Sequence, residues 1–164
     1  MVRLTSAVAV LSLSMLCVGP ARAHCEVPCG IYDDQMRIRM IAEHVSTIEK
    51  SMEQIVELSK ARETNYNQLV RWINNKEAHA TEVQHIVSQY FMTQRIKAVD
   101  AGDAANHAKY VAQLTLLHQM LVEAMKTKQT LDLQHVERLR SLLKAFSASY
   151  FGSEEKKHLE QHPH

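Results

Sequence analysis

Four long segments of the chain carry apolar residues at steps of three and four positions, the spacing that places side chains on one face of a helix. These segments run over residues 34–60, 65–99, 104–128 and 131–150, and none alternates with the period of a β-strand. Amphipathic helices joined by short connections are expected to pack as an antiparallel bundle. The sequence therefore predicts an all-α fold, an antiparallel four-helix bundle over residues 33–151 with the apolar stripes as its core.

Capping and turn residues stand at the ends of these segments. Asp33 or Asp34 can cap the first helix, and Ala101-Gly102-Asp103 ends the second helix and offers a cap to the third. A polar break at residues 127–130 precedes the fourth helix. Glycine and proline are sparse, at 4 and 3 in the full chain, which agrees with a protein made of long helices.

Residues 1–23 have the pattern of a secretory signal peptide. A basic residue, Arg3, is followed by an apolar stretch over residues 7–18, and Ala21-Arg22-Ala23 supplies the small-x-small pattern of a cleavage site. The apolar stretch is shorter than the ~20 residues that cross a bilayer as a helix. Cleavage after Ala23 is therefore predicted, with export to a periplasmic, secreted or lumenal location and no membrane anchor afterwards.

The charge of the predicted mature chain is close to balanced. Cleavage removes Arg3 and Arg22 from the 19 basic residues and leaves 17 against 18 acidic ones. Such a chain offers no basic surface for nucleic acid and no polybasic patch for a membrane. A polar segment over residues 152–164 is predicted to form a flexible tail.

A cluster of potential metal ligands follows the predicted cleavage site directly. With His24 as the first mature residue, its free α-amine and the backbone nitrogen of Cys25 would close one chelate ring, and that nitrogen and the Cys25 sulfur a second. Cys29 can supply the fourth in-plane ligand, and the His24 imidazole can reach the axial position. Two nitrogens and two thiolates in a plane suit Ni(II) or Cu(II), whereas tetrahedral sulfur-rich sites suit zinc.

The residues between and after these ligands favour a compact hook over residues 24–32. Pro28 fixes one backbone torsion and disfavours helix at the residue before it. Gly30 permits a tight reversal after the second cysteine. Tyr32 stands where the hook joins the bundle, and its phenol could face the open axial side of the metal or pack as an ordinary aromatic side chain.

The run His24-Cys25-x-x-Pro28-Cys29-Gly30-x-Tyr32 resembles the nickel hook of nickel-containing superoxide dismutases. The segment Ser88-Gln89-Tyr90-Phe91 also resembles sequence of that family. The resemblance implies a four-helix bundle that assembles as a homohexamer with one nickel ion per chain. It further implies that the protein converts superoxide to dioxygen and hydrogen peroxide by Ni(II)/Ni(III) cycling.

The resemblance also assigns the site residues. His24 would supply its amine and its axial imidazole, Cys25 its amide nitrogen and thiolate, and Cys29 its thiolate. Tyr32 would help to order substrate and water near the open face of the metal, so the expected catalytic residues are His24, Cys25, Cys29 and Tyr32. Known members lose a short propeptide to a dedicated peptidase, whereas this chain carries a secretory signal, which implies nickel loading after export.

The family orients the axial imidazole through an acidic and a basic residue, for which Glu43, Arg39 and Lys76 are candidates here. Other readings of the sequence remain open. Glu82-Val83-Gln84-His85 and Asp132-Leu133-Gln134-His135 have spacing like that of di-iron helix bundles. Alternatively, an oxidising compartment could pair Cys25 with Cys29 in a disulfide, or the hook could carry nickel or copper without turnover.

Overall fold

The computed structural model describes Pro28 and residues 30–152. Within that part of the chain it contains helices and no strand, so the predicted all-α four-helix fold is confirmed. None of these helices combines the length and the apolar character that a membrane crossing requires. The elements are α1 (Asp34–Lys60), α2 (Tyr66–His85) continued by a π-helical segment (Ile86–Arg95), α3 (Ala104–Gln129) and α4 (Gln134–Phe151).

Polar side chains cap the starts of the first three helices, where the first amide groups lack partners within the helix. The Asp33 carboxylate accepts a hydrogen bond from the Met36 amide at 2.8 Å. The Asn65 side-chain oxygen likewise accepts from the Gln68 amide at 3.1 Å. The Asp103 carboxylate accepts from the Asn106 amide at 3.3 Å. The predicted bounds of α1 are confirmed. α4 was predicted to start at about residue 131 and starts at Gln134, because Asp132 first forms a turn by accepting from the Gln134 amide.

The segment Ile86–Arg95 is the one long departure from the predicted geometry. Its backbone widens from α-helical to π-helical hydrogen bonding before it ends at Arg95, short of the predicted residue 99. Two side chains repeat the wider spacing, since Thr93 donates to the Ser88 carbonyl at 2.8 Å and Gln94 to the Gln89 carbonyl at 3.0 Å. π-Helical turns are rare and often stand at functional sites.

Pairings between side chains show that sequential helices run antiparallel. Asn75 on α2 donates to Ser51 on α1 at 2.9 Å, whereas Tyr90 contacts Asp34 near the other end of α1. On the second pair of helices, Gln113 donates to the Ser149 carbonyl and Glu123 contacts His135. The predicted antiparallel order is therefore confirmed within the described residues.

The core of the bundle is filled by the apolar stripes that the sequence predicts. Phe91 lies at its aromatic end, with edge-to-face contacts to Tyr90 at 5.1 Å and Phe146 at 5.0 Å between ring centroids. Such pairs add to the stabilisation from burial. The fully buried large side chains are Phe91, Phe146, Ile41, Ile48, Met52, Leu117, Met120, Leu139, Val45, Val83, Val87 and Val136.

Candidate metal centre

The three predicted nickel ligands, His24, Cys25 and Cys29, lie outside the described residues, and their assignment stays a prediction. Of the hook, the structure describes Pro28 and Gly30–Tyr32. Gly30 has φ of 81°, in the left-handed region that side-chain-bearing residues rarely adopt. Among the described residues no atom lies within 4 Å of a Cβ placed at Gly30, so the observed requirement for glycine there is torsional. The left-handed torsion at Gly30 is compatible with the predicted reversal, which itself stays a prediction because Cys29 and the residues before Pro28 lie outside the described part of the chain.

The chain leaves the hook through Tyr32 and enters α1 one residue later. Tyr32 is 38% exposed, so its side chain is accessible to water and small solutes. Asp33 holds the helix start by its cap to Met36, and its carbonyl accepts from the Arg37 amide at 3.2 Å. The residues after the hook are therefore fixed by an ordinary helix cap.

Asp34 receives side-chain hydrogen bonds from two other parts of the bundle. Its Oδ1 accepts from the Tyr90 hydroxyl at 2.6 Å and from Arg95 Nε at 2.8 Å. Its Oδ2 accepts from Arg95 Nη2 at 2.8 Å and from the Tyr150 hydroxyl at 2.8 Å. Paired arginine–carboxylate contacts of this kind are among the stronger hydrogen bonds in proteins. These four residues, termed here the Asp34 cluster, join the start of α1 to the π-helical segment and to the last turn of α4.

The protonation states in the Asp34 cluster follow from its contacts. Burial would raise the pKa of Asp34, but hydrogen bonds from Arg95, Tyr90 and Tyr150 together hold it below its ordinary value. Burial and the Asp34 carboxylate raise the pKa of Tyr90 well above its ordinary value and that of Tyr150 to about 12. At neutral pH the carboxylate is therefore charged and both phenols keep their protons.

Arg37 adds a second positive charge beside Tyr90. Its guanidinium carbon lies 5.0 Å from the centroid of the Tyr90 ring, within the range of a cation–π contact. Its Nη1 also contacts the Met40 sulfur at 3.7 Å. The motif around Tyr90 drew attention to this residue in the sequence. No sequence motif pointed to the other three members, Asp34, Arg95 and Tyr150. The partners of Asp34 lie between 56 and 116 positions away from it along the chain.

The structure gives Lys76 a role other than orienting an imidazole. Its buried ammonium group donates to the carbonyls of Thr127 and Lys128, at the C-terminal end of α3. Positive charge is favourable there because the last carbonyls of a helix lack partners and carry partial negative charge. Arg39 and Glu43, the other two candidates, have exposed side chains on α1.

The residues of the di-iron alternative are not assembled in the described part of the chain. Glu82 and His85 are exposed on α2. Asp132 caps a turn, and His135 Nδ1 lies 2.7 Å from Glu123 Oε2. Among residues 30–152 no three His, Cys, Asp or Glu side chains are grouped so as to hold a metal ion. The geometry therefore gives the di-iron reading no support.

Comparison with known proteins gives one match. A family model described as nickel-containing superoxide dismutase matches residues 19–155, which is more than half of the chain. The matched span includes residues 24–32 and all four helices. Neither the curated proteins nor the solved structures provide a match.

Proposed function

Because the chain belongs to the nickel-containing superoxide dismutase family, we propose that residues 24–32 form the nickel site of the enzyme. The protein is a superoxide dismutase that uses nickel and acts on superoxide. The observation that carries the proposed site is the family match itself, since the matched span contains Cys25 and Cys29, the only cysteines left after cleavage at Ala23.

The donor chemistry of this segment fits nickel. His24 would contribute its amine and imidazole, Cys25 its amide nitrogen and thiolate, and Cys29 its thiolate. The positive φ of Gly30 supports a chain reversal directly after the last ligand. When bound, nickel supplies the one-electron redox cycle between its +2 and +3 states. The anionic amide and thiolates favour the higher of these states because they donate electron density strongly.

Tyr32 is the side chain proposed to act on the substrate. Two superoxide anions and two protons give one dioxygen and one hydrogen peroxide, so the site must admit a small anion and supply protons. The partly exposed Tyr32 phenol could donate a hydrogen bond to superoxide or to an ordered water molecule. The cap at Asp33 would hold the chain at the base of this side chain.

The experiment that tests the site replaces each cysteine separately, as Cys25→Ser and Cys29→Ser. Each variant is expected to lose bound nickel and superoxide disproportionation together, because a thiolate ligand is removed. Nickel per chain is measured by elemental analysis, and turnover by the decay of superoxide. Glu26→Gln is the matched control, since it lies between the ligands and donates nothing to the metal. A cysteine variant that kept both nickel and activity would remove the proposed site.

The bundle is proposed to assemble as a homohexamer, as the family resemblance implies. Exposed apolar side chains on α2 support association, since Tyr66, Val70 and Ile73 recur at steps of four and three and are 73%, 52% and 37% exposed. A groove of about 740 Å³ between α1 and α4 is a second largely apolar feature. Light scattering after size exclusion is expected to give six times the mass of the mature chain, and a monomer mass would refute the assembly.

Export with cleavage after Ala23 is proposed because only a free His24 amine can complete the site. The mature protein collected from the exporting compartment is expected to begin at His24, as read by N-terminal sequencing or intact mass. An N-terminus elsewhere would displace the amine from the metal. A mass two hydrogens below the reduced, metal-free chain would instead favour a Cys25–Cys29 disulfide.

A further inference from the structure

Two histidines face each other across α1 and α2, and neither belongs to residues 24–32. His44 Nδ1 and His79 Nδ1 lie 2.7 Å apart. Their rings are tilted by 56° with centroids 4.9 Å apart, so they meet through their nitrogens and not by stacking. Both side chains are partly exposed. Each histidine is thus held by a helix, and both remain accessible to small solutes.

The two nitrogens are spaced almost as ligands of one metal ion. Imidazole nitrogens bind zinc at about 2.0–2.1 Å, which separates two ligands by about 2.9 Å at a right angle and about 3.4 Å at the tetrahedral angle. The observed 2.7 Å contact is a hydrogen bond between the two rings. An ion would replace its proton, and the nitrogens would separate by about 0.2 Å for a right angle or about 0.7 Å for the tetrahedral angle. Small side-chain rotations can provide that movement without a shift of either helix.

The charge around the pair favours a cation. Glu82 follows His79 by three residues, so both stand on one face of α2, and Glu43 precedes His44. Burial and His79 lower the pKa of His44, while Glu82 and Glu43 act in the opposite direction. The two carboxylates place negative charge beside the rings, which is favourable for a bound cation.

We propose that His44 and His79 form a second metal site, for a divalent transition-metal cation with a preference for imidazole, such as Zn(II). The two Nδ1 atoms would be its protein nitrogens. Water would complete the coordination, and the nearby Glu82 carboxylate would favour the ion by its charge. Bound there, the ion joins α1 to α2 and stabilises the folded chain by its binding free energy.

A missing hydrogen bond at His44 limits the metal affinity of this site. His44 Nε2 is buried and has no hydrogen-bond partner in the described part of the chain. With a metal on Nδ1, the proton of His44 must stand on this nitrogen, and metal-bound histidines normally donate that proton to a neighbouring group. Losing such a partner costs about 10- to 100-fold in metal affinity. The site is therefore expected to bind zinc more weakly than a fully supported structural zinc site.

The test uses the full mature chain carrying Cys25→Ser and Cys29→Ser, so that hook thiolates do not compete for zinc. Equilibrium dialysis against Zn(II) with metal analysis is expected to show one more zinc per chain in this parent than in the same chain with His79→Gln. His44→Gln should cause the same loss. His118→Gln, an exposed histidine on α3, is the matched control and should bind as the parent does. The tail histidines are common to all four chains and cancel in the comparison.

A second measurement avoids any question of variant folding. In the parent, zinc is expected to shift the imidazole nitrogen resonances of His44 and His79 and to raise Tm. Equal zinc binding by the parent and the His79→Gln chain would overturn the proposal. Unshifted resonances of the two rings at saturating zinc would overturn it as well.

Discussion

Gly30 is the described hook residue with the most restrictive backbone. Its φ is 81°, and Gly152 after α4 has a similar φ of 79°. A Cβ at either position would meet no atom within 4 Å among the described residues. A side chain at such a torsion costs on the order of 1–2 kcal/mol. Both glycines therefore resist substitution through their backbone torsions, but only Gly30 follows a proposed nickel ligand directly.

Gly30→Ala is expected to lower nickel occupancy and activity, because the strained residue can relax only by opening the hook. Gly152→Ala is the matched control and is expected to keep nickel while losing stability through its own strained torsion. Nickel per chain and urea denaturation midpoints separate the two effects. Equal nickel contents in both variants would show that the reversal at Gly30 does not support the site.

Tyr32→Phe is expected to retain nickel and to reduce turnover by about tenfold, the effect of losing one hydrogen bond that forms with the reacting species. Tyr66→Phe, which removes the hydroxyl of an exposed tyrosine on α2, should leave turnover unchanged. Nickel content and superoxide decay are measured on the same samples. Full activity of Tyr32→Phe would show that the Tyr32 hydroxyl does not act on the substrate and that the residue serves only as a packed aromatic side chain.

The π-helical segment and the start of α1 depend on each other through the Asp34 cluster. Arg95 and Tyr90 both stand on the π-helical segment, and both donate to Asp34. The carboxylate lies in the first turn of α1, where a negative charge is favoured by the helix dipole. The cluster thus fixes the end of one element against the beginning of another.

Asp34→Asn is expected to lower the free energy of unfolding by about 2–3 kcal/mol, since it removes the charge from several charge-assisted hydrogen bonds and leaves Arg95 without a counter-ion. Asp33→Asn is the matched control, because asparagine caps a helix as well as aspartate does. Urea denaturation of both variants measures the difference. Similar midpoints would mean that the Asp34 cluster contributes little to stability.

Features that depend on adjacent residues could be predicted from the sequence, whereas features formed by distant residues could not. Apolar spacing and the Asp33 cap predicted α1 correctly, because both are written in adjacent residues. The π-helical widening after His85 was missed, since a wider turn still buries Ile86, Val87, Tyr90 and Phe91 and its apolar pattern reads as an α-helix. The proposed nickel hook rests on one continuous motif, and its ligand assignment stays a prediction. The Asp34 cluster could not be predicted, because its members are brought together only by the tertiary fold.

Acid stability of the whole bundle depends on groups whose pKa values differ between the folded and unfolded chains. Burial and His79 lower the pKa of His44 below its ordinary 6.5. Asp34, Glu49 and Glu123 also have pKa values below their ordinary 3.8 or 4.5. In each case the unfolded chain binds protons more readily than the folded chain, so stability is greater at higher pH.

The metal-free protein is therefore expected to lose stability in two stages as pH falls. The first begins as pH drops through about 6.5, where His44 of the unfolded chain takes up a proton. The second begins below about 4.5, where the carboxylates do so. Urea denaturation from pH 8 to about pH 3 measures both stages, and His44→Gln should reduce the first. A His44→Gln profile identical to the parent would exclude His44 as its source.

The π-helical segment also limits where this chain can change in length. Deleting one residue between Ile86 and Arg95 would let the backbone return to α-helical spacing, but each residue of an α-helix turns the chain by about 100°. Arg95 would then point away from Asp34, and the bond between the two elements would be lost. Length variation among relatives is therefore expected in the connections over residues 61–65 and 130–133 and not within this segment.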